Sequence, residues 1–463
     1  MGDEDRPTGV ATIQDAHGDQ EDISNLSWYQ SVKRVLSNRN WALYLFTVWI
    51  YNSMAILRQY FTLYFREIGI SYVLTGVLLS LMFGVNIIGY FVSGYLADNY
   101  DRRKLSILTM VVNGTGFLML AFLTDFLGLA FAMIIAAMSS FTGTAGQAYQ
   151  MQQVDRRLGG VANSLFTLGT SFGLVPLYVF GLLLDIGWGF VNIMQLMLFV
   201  AGILYLISGF VRAMALESIS LPRRETTHSL LRDFIAENIR GLRLLATVLP
   251  VFAAVICVDA FSDSLYRFAS LYFVNETLNF GFSEINLMFL ITLAFSVPLT
   301  MYLGRRFDRK GGRRLTVIVY AVMPVAIGLL ILAQFVPYVG PQEWVDALDS
   351  IYPSLSVILS LAFIGTAMKQ INDILWFSIL GTYIQKSLPR ADMGKMLSLN
   401  MFIVMVFIAI GPIPAGIIYT LYAGLPLLYT VLALNIVILI VLALFSIEPR
   451  VSVRELEGED FSY

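Results

Sequence analysis

Twelve long apolar runs constrain this chain more than any other feature of its sequence. A helix needs about 20 mostly apolar residues to cross the hydrocarbon layer of a bilayer, and each run is long enough. The runs are uniformly apolar rather than alternating, which disfavours the strands of a membrane barrel. The sequence therefore predicts an all-α integral membrane protein with twelve transmembrane helices, which begin near Trp41, Val73, Leu105, Phe126, Val161, Trp188, Thr247, Glu284, Leu315, Ser354, Met396 and Pro426.

The composition agrees with this prediction and excludes several other classes of protein. Charged residues make up 13% of the 463 residues, against roughly 25% in an ordinary soluble domain. Hydrophobic residues make up 57%, and the mean hydropathy is +0.72. A disordered or collagen-like chain is incompatible with these values. The net charge of -2 provides no basic surface for nucleic acid.

The residues that usually carry enzymatic chemistry are almost absent. Cys257 is the single cysteine, and the two histidines, His17 and His228, lie in polar stretches outside the apolar runs. A catalytic triad or a cysteine metal cluster within the membrane is therefore excluded. The phosphate-binding pattern G-x-x-x-x-G-K-[ST] does not occur either. We predict that the protein is not an enzyme and has no metal site and no cofactor.

Lys and Arg lie almost entirely on one side of the predicted spans. With the N-terminus inside, 26 of the 30 basic residues fall in inner segments such as 212–243, and Arg66 alone falls in an outer loop. The remaining three, Arg58, Arg267 and Lys369, lie within spans. Basic residues favour the cytoplasmic side of a membrane. We therefore predict a multi-pass protein of the plasma membrane with both termini in the cytoplasm.

Two loops of the sequence repeat at an offset of about 210 residues. After the second span the chain reads Gly94-Tyr-Leu-Ala-Asp98-Asn-Tyr-Asp-Arg-Arg-Lys, and after the eighth it reads Gly304-Arg-Arg-Phe-Asp308-Arg-Lys-Gly-Gly-Arg-Arg. Each loop has a glycine four residues before an aspartate, and a basic cluster follows. The ends of the first and seventh spans also repeat, with arginines at matching positions. Two parallel halves of this kind normally enclose a substrate site near the middle of the membrane.

Both loops resemble the G-x-x-x-D-R-x-G-R-R signature of the major facilitator superfamily of secondary transporters. The segment Asn38-Arg-Asn-Trp41 before the first span is similar to the corresponding segment of that family. The resemblance implies two pseudo-symmetric six-helix bundles that move a solute by alternating access. It also implies that the loops latch the cytoplasmic side shut in the outward-open state, through Gly94, Asp98, Arg102, Arg103, Gly304, Asp308, Arg309 and Arg313. Topology alone also explains basic loops at these places. The first loop departs from the signature at Asn99 and Asp101, and the second has an extra glycine, Gly312.

These patterns divide the chain into five predicted segments. They are a disordered acidic cytoplasmic tail (1–26), a first six-helix bundle (27–214), a cytoplasmic linker with an amphipathic helix (215–246), a second six-helix bundle (247–447) and a second acidic tail (448–463).

Three charged residues of the seventh span, Asp259, Asp263 and Arg267, share one helical face because they lie four residues apart. A charge in the hydrocarbon layer costs at least ~2.5–3.5 kcal/mol, so such residues face the protein interior or water and usually serve a function. Repulsion and burial oppose ionisation of neighbouring carboxylates, whereas Arg267 stabilises an ionised Asp263. We therefore predict a proton-coupling group in which Asp259 carries the proton. The alternative is a static ladder of ion pairs.

Other polar residues within the spans are candidates for lining a substrate cavity. Lys369 and Asp373 lie four residues apart in the tenth span, where they form either a local ion pair or a lysine that binds substrate once the cavity opens. Arg58 serves either as an outer gate or as an anion contact. Asn52 and Gln147 are amides, which need a partner in hydrocarbon. The resemblance implies that spans 1, 4, 7 and 10 line the cavity, and all five residues fall in those spans.

The sequence is therefore interpreted as a secondary active transporter of a small solute, coupled to an ion gradient and most directly to protons. The intramembrane charges are three basic and three acidic, so they favour neither anionic nor cationic substrates. A proton-coupled exporter of amphipathic compounds is the alternative, and a sensor of the same fold without coupled transport is a third. The predicted partners are the solute, protons or another coupling ion, and the lipid bilayer. The chain is predicted to be a monomer that binds no nucleic acid.

Overall fold

The computed structural model describes residues 28–154, 158, 162, 165–166, 168–218, 239, 250–310, 313–387 and 393–445. Within these residues the chain is helical, and its β-structure is limited to one isolated antiparallel bridge between Tyr338 and Ser360. Both predicted tails and nearly all of the predicted linker lie outside the described residues.

Twelve long helical rods, which we number α1 to α12, follow one another along the described chain. They are α1 (Arg39–Ala55, a 3-10 turn Ile56–Tyr60 and Phe61–Glu67), α2 (Tyr72–Asn99), α3 (Arg102–Phe122), α4 (Phe126–Met138 and Ser140–Gln152), α5 (described over Gly169–Gly173 and Leu174–Asp185), α6 (Phe190–Ala215), α7 (Pro250–Tyr272 with the wider turn Phe273–Thr277), α8 (Phe282–Lys310), α9 (Arg313–Leu332), α10 (Leu361–Ser387), α11 (Met393–Ile410 and Pro412–Tyr422) and α12 (Gly424–Leu444). Two shorter helices, Trp28–Ser37 and Gln342–Ile351, precede α1 and α10.

Polar residues cap the N-termini of the first four rods. The Asn38 side chain accepts hydrogen bonds from the backbone N–H groups of Asn40 and Trp41, at 3.1 and 3.2 Å. Ser71, Asp101 and Asp125 cap α2, α3 and α4 in the same way. Each cap satisfies an N–H group that has no partner within the first helical turn. The residues that interrupt the apolar runs therefore also set where the helices begin.

The two halves of the chain pack their six rods in the same pairwise pattern. In the first half α1 contacts α5 and α6, α2 contacts α4, and α3 contacts α4 and α6. In the second half α7 contacts α11 and α12, α8 contacts α10, and α9 contacts α10 and α12, which is the same set shifted by six rods. Between the halves, α2 packs on α11 and α5 packs on α8, and these two contacts are equivalent under the same shift. The repeated loops thus belong to two pseudo-symmetric six-helix bundles.

Among the described residues, the buried apolar clusters differ between the two ends of the rods. We call the end that carries Arg39 and Ala215 the tail end, and the end that carries Glu67 and Thr277 the far end. The largest cluster of buried apolar side chains lies toward the far end and contains residues of both halves. Among the described residues, each smaller cluster at the tail end belongs to one half, such as that around Trp41 or that around Trp376.

Six described helices are individually long and apolar enough to cross a membrane, and three shorter apolar helices accompany them. The first set lies in α2, α3, α4, α6, α11 and α12, and the second in α5, α8 and α9. The helices of α7 and α10 fall outside both sets because charged and amide side chains interrupt their apolar surface. The helices of α1 also fall outside both sets.

The tenth rod begins later than the sequence predicts. An apolar run starts near Ser354, but α10 begins at Leu361, after a separate 3-10 turn at Leu355–Leu359. Ser354 has a left-handed backbone with φ of 66°, which ends the preceding segment. Hydropathy does not separate the turn from the helix because both are apolar.

Candidate functional site

A cavity of about 850 Å³ lies between the two halves. Its wall is formed mainly by α1, α2, α3, α4, α7, α10 and α11, and it includes Tyr44 close to the tail end of α1. Four of the predicted cavity residues, Asn52, Arg58, Lys369 and Asp373, line it. The side chain of the fifth, Gln147, lies outside the described residues. Rods 1, 4, 7 and 10 all contribute to the wall, as the sequence predicts, and rods 2, 3 and 11 contribute as well.

Four charged side chains connect α7 to α10 at the wall of the second half. Asp263 accepts a hydrogen bond from Lys369 at 2.8 Å through Oδ1 and from Arg267 at 2.7 Å through Oδ2. Lys369 also contacts Asp373, four residues further along α10. Arg267 and Lys369 line the cavity, and the Lys369 side chain is only 4% exposed. We call these four residues the charge cluster; in this conformation both of its cations are paired with carboxylates.

Asp259 occupies a different environment from Asp263, one helical turn away. It lies inside the second half, where the Tyr320 hydroxyl lies 2.9 Å from its Oδ1 and the Trp376 indole N–H donates to its Oδ2 at 2.9 Å. Tyr320 and Trp376 come from α9 and α10 and are almost fully buried. Within the described part of the chain no Lys or Arg nitrogen lies within 4 Å of this carboxylate.

The hydroxyl of Tyr320 connects Asp259 to a second buried amide. It also lies 2.9 Å from Oδ1 of Asn435 in α12. Nδ2 of Asn435 donates to the Ser262 hydroxyl and to the backbone carbonyl of Val431, each at 2.8 Å. Because a carbonyl can only accept, these bonds determine which end of the amide faces Tyr320. Asp259 is therefore part of a polar network that links α7, α9, α10 and α12.

Arg58 lines the cavity in the first half and has only neutral partners. Its Nη2 donates to Oδ1 of Asn113 at 3.1 Å and to the Tyr51 hydroxyl at 3.4 Å. The guanidinium also lies over the rings of Tyr51 and Phe117, at 5.8 and 5.5 Å from their centres. Nδ2 of Asn113 donates to the Thr109 carbonyl, so its oxygen is directed at Arg58. Although the repeat aligns Arg58 with Arg267, no described carboxylate pairs with it.

Arg212 is a second cation of the first half, and the sequence did not predict its role. The charge count assigns Arg212 to an inner segment, but the residue lies within α6, is 2% exposed and contributes to the cavity wall. Nε donates to Thr47 and Nη1 to the Ser106 carbonyl, at 2.9 and 3.0 Å, and the Tyr44 ring lies 4.5 Å away. Its Nη2 is buried without a hydrogen-bond partner. Arg212 is therefore a buried cation of the cavity wall that the sequence count had assigned to an inner segment.

The predicted gate loops are described only in part. The side chains of Asp98, Asp308, Arg309 and Arg313 lie outside the described residues, and nothing is described of the surroundings of Gly94 and Gly304. Arg102 donates to the Ala97 carbonyl at 2.9 Å, and Arg103 donates to the Ala213 carbonyl. Both bonds end on helix termini of the first half, where a cation is favourable. Asp101, which replaces the usual glycine, is the cap of α3.

The far end of the cavity is closed by contacts between the halves. The Tyr72 hydroxyl donates to the Glu276 carboxylate at 2.7 Å, and Arg66 lies 3.6 Å from the same carboxylate. Deeper in the protein, the Tyr60 hydroxyl donates to Asn286 at 2.8 Å. The cavity extends from these contacts toward the tail end, where Tyr44 lines it.

Two further contacts close the far end at its surface. The rings of Phe190 and Phe282 stack at 4.1 Å. The Tyr352 hydroxyl, in the segment between α9 and α10, donates to Asp185 at 2.7 Å. This bond stabilises the neutral phenol and raises the pKa of Tyr352, so the contact persists at neutral pH.

A family model supports the interpretation drawn from the loops. Residues 42–375 match the model of the Major Facilitator Superfamily. The chain belongs to this superfamily. A search of curated protein sequences finds no match. The protein is therefore a multi-pass membrane transporter and not an enzyme, as the sequence predicts.

Solved structures of superfamily transporters share the fold. A D-xylose-proton symporter aligns with a TM-score of 0.62 and 15% identity, over 91% of this chain and 98% of that chain. The inward-open xylose transporter XylE from E. coli aligns with a TM-score of 0.61 and 14% identity, over 92% and 99%. A POT family transporter in complex with a thioalcohol conjugated peptide aligns with a TM-score of 0.65 and 12% identity, over 91% and 99%. At such identities the likeness shows the fold alone.

The sequence contains weak signals for two of the residues it failed to predict. Asn435 is a single amide inside the most apolar of the runs, and a buried amide needs partners. Arg212 lies only three residues before the end of α6, where a basic residue is also expected from topology. Tyr320 and Trp376 give no signal, because aromatic residues are common in any span.

Proposed function

We propose that this transporter is a secondary active one, which moves a small solute by alternating access and couples that movement to a proton on Asp259. The observation that carries the proposal is the difference between three buried carboxylates. Asp263 and Asp373 each contact a cation, whereas Asp259 has only the neutral donors Tyr320 and Trp376. A buried carboxylate without a cation is costly when ionised and favourable when protonated.

The hydrogen bonds around Tyr320 favour a proton on Asp259 in this conformation. The Tyr320 hydroxyl has one hydrogen but lies 2.9 Å from two acceptors, Asp259 Oδ1 and Asn435 Oδ1. If Asp259 is ionised, Tyr320 donates to it, and the Asn435 oxygen is left without that donor. If Asp259 is protonated, it donates to Tyr320, and Tyr320 donates to Asn435. A buried acceptor without a donor costs about 1–3 kcal/mol, which favours the protonated arrangement.

Loss of this proton therefore changes the contacts between rods. When the proton leaves, the Tyr320 hydrogen turns toward Asp259, and the contact of α9 with Asn435 of α12 weakens. The ionised Asp259 also repels Asp263, one turn away on α7, which holds Lys369 of α10. Proton release is thus coupled to the packing of α7 and α10 at the wall of the cavity.

Alternating access follows from two halves that separate at one end while they are closed at the other. We propose that the bundles 27–214 and 247–447 rock as units about the α2–α11 and α5–α8 contacts. The tail end faces the cytoplasm of the cell, with the protein in the plasma membrane as a monomer. The present conformation is then inward-facing, and Tyr72, Glu276, Tyr60 and Asn286 separate when the far end opens.

Coupled transport can be measured with purified full-length protein in liposomes that contain a pH-sensitive dye. Carboxylates, inorganic phosphate, sugars, nucleosides and short peptides are added in turn, with and without a pH gradient. For the wild-type protein we expect one class to move protons and to accumulate along the gradient. For Asp259→Asn we expect exchange of the same solute across the membrane without accumulation, because a permanently neutral side chain cannot release a proton.

Asp346→Asn is the matched control, since Asp346 is an exposed carboxylate of the short helix Gln342–Ile351. It should behave as the wild-type protein does. If Asp259→Asn accumulates solute with an unchanged pH dependence, Asp259 is not the proton carrier. Transport of an amphipathic cation out of the liposomes, in exchange for protons, would instead favour the exporter.

A further inference from the structure

The first half of the cavity wall carries two positive charges that no described carboxylate neutralises. Arg58 and Arg212 both line the cavity, and no described carboxylate lies within 4 Å of either guanidinium. On the opposite wall, Arg267 and Lys369 are neutralised by the carboxylates of the charge cluster. The excess positive charge of the cavity therefore belongs to α1 and α6 of the first half.

Structural needs do not explain two unneutralised cations. An arginine inside a membrane protein is costly, and it normally pairs with a carboxylate or faces a ligand pathway. Arg212 is 2% exposed and keeps one terminal nitrogen, Nη2, without any partner. Arg58 uses only Nη2 for its two bonds to neutral side chains. Arg58 thus retains donors that a partner from outside the protein can use, whereas the unpaired nitrogen of Arg212 is itself buried.

The two arginines lie along the same side of α1. Arg58 contacts the ring of Tyr51, and Arg212 lies over the ring of Tyr44, seven residues earlier. Seven residues of α-helix correspond to ~10 Å along the axis, so the positions on α1 of the two rings that the arginines contact are separated by a distance of that order. An anion next to Arg58 is therefore also in the field of Arg212, which water screens little in a buried site.

We propose that the transported solute is an anion, with a carboxylate or phosphate group that Arg58 binds directly and that Arg212 attracts. The planar fork of a guanidinium matches the two oxygens of either group. Asn113 holds Arg58 in place, because its own amide is oriented by the Thr109 carbonyl. The inference rests on the proposed transport function, since it names the solute of the same cavity.

Thermal stability of the purified full-length protein, measured at constant ionic strength, tests this inference. The probes are succinate, inorganic phosphate and sulfate as oxyanions, and xylose and uridine as neutral solutes. We expect a concentration-dependent rise in the melting temperature with at least one oxyanion, because a ligand that binds the folded state stabilises it. Which of the oxyanions is effective distinguishes a carboxylate from a phosphate or sulfate group.

Three substitutions make the measurement specific. Arg58→Gln should weaken the apparent affinity by roughly tenfold or more, the loss expected for one charge-assisted contact. Arg58→Lys should weaken it less, because the charge remains while the fork is lost. Lys104→Gln removes a positive charge from an exposed site of α3 and should leave the affinity unchanged. Arg212→Gln should also weaken binding, and if this variant fails to fold, the Arg58 pair still decides.

The outcomes separate this inference from the proposed function. If no oxyanion stabilises the wild-type protein, if only neutral solutes do, or if Arg58→Gln responds as the wild-type protein does, the anion inference is overturned. Movement of a neutral solute across liposomes would then leave the transport proposal intact. An oxyanion that binds through Arg58 but does not cross the liposome membrane would uphold the inference and contradict the proposed transport.

Discussion

Lys369 illustrates how one buried residue depends on its neighbours. Its ammonium group lies between Asp263 and Asp373, and only 4% of its side chain is exposed. Spacing along α10 predicts the contact with Asp373, whereas the contact with Asp263 requires α7 and α10 to be adjacent. The sequence left open whether Lys369 forms an ion pair or binds substrate. In the present conformation it is paired, and a substrate role requires that pairing to be exchanged.

At the residue scale we predict that Lys369→Met lowers the free energy of unfolding by about 3–5 kcal/mol, the usual cost of breaking a buried ion pair. The double variant Lys369→Met/Asp373→Asn should recover part of this loss, because one uncompensated carboxylate fewer remains buried. Detergent-induced unfolding in mixed micelles measures both values. Lys104→Met serves as the control for loss of an exposed lysine.

A double variant as unstable as Lys369→Met alone would show that Asp373 is not destabilised by the loss of Lys369. The lysine would then contribute to stability mainly through its packing against the Tyr266 ring, which lies 4.9 Å from its ammonium group.

At the element scale, α2 and α11 lie against each other at the far end. A side chain at Gly76 would clash with the Pro412 carbonyl, and one at Gly416 would clash with the Tyr72 carbonyl. Glycine permits this approach because it has no Cβ atom. Gly84 also lies on α2, but nothing lies within 4 Å of the position that its Cβ would occupy. Closure of the far end therefore depends on Gly76 of α2 and Gly416 of α11.

We predict that Gly76→Val keeps the far end from closing and shifts the protein toward a conformation open at that end. A cysteine at Thr366, which lines the cavity on α10, reports the change in a Cys257→Ser background. Labelling of this cysteine by a maleimide that does not cross membranes, added on the far side, should increase. Gly84→Val should leave the labelling unchanged.

Equal labelling of the Gly76→Val variant and its parent would mean that α2 and α11 separate without hindrance from this position. Since the reporter lies on another rod, a local distortion of α2 does not by itself produce the expected result.

At the scale of the whole molecule, the described clusters of buried apolar side chains differ between the two ends. One apolar cluster joins the halves toward the far end, while described clusters at the tail end stay within a half. A protein with two equivalent halves can close either end by the same kind of contact, because α2–α11 and α5–α8 are related by the shift of six rods. Under the proposed alternating access, the structure is one of the two conformations that the repeat permits.

The direction in which the molecule crosses the membrane is predicted by its basic residues. We expect alkaline phosphatase to be active when it is fused after Gly281, between α7 and α8, and inactive when it is fused after Tyr463. A fluorescent protein fused after Tyr463 should fluoresce. Both results follow if the basic inner segments stay in the cytoplasm. The reverse pattern of activities would invert the topology and make the present conformation outward-facing.

The domain bounds and the gate roles stay predictions. The segment 215–246 and both tails lie almost wholly outside the described residues, and so do the side chains of Asp98 and Asp308. The described loop residues, Arg102 and Arg103, contact helix ends of their own half.

The sequence alone determined the helical class, the twelve spans, the repeat and the charges of α7 and α10, because each of these depends on composition or on spacing along one helix. The tertiary structure decided which of those charges are neutralised. Lys369 of α10 meets Asp263 of α7, whereas Arg58 and Arg212 meet no described carboxylate, and Asp259 meets only Tyr320 and Trp376. Burial and pairing depend on neighbours from distant parts of the chain, which spacing along a single helix does not reveal.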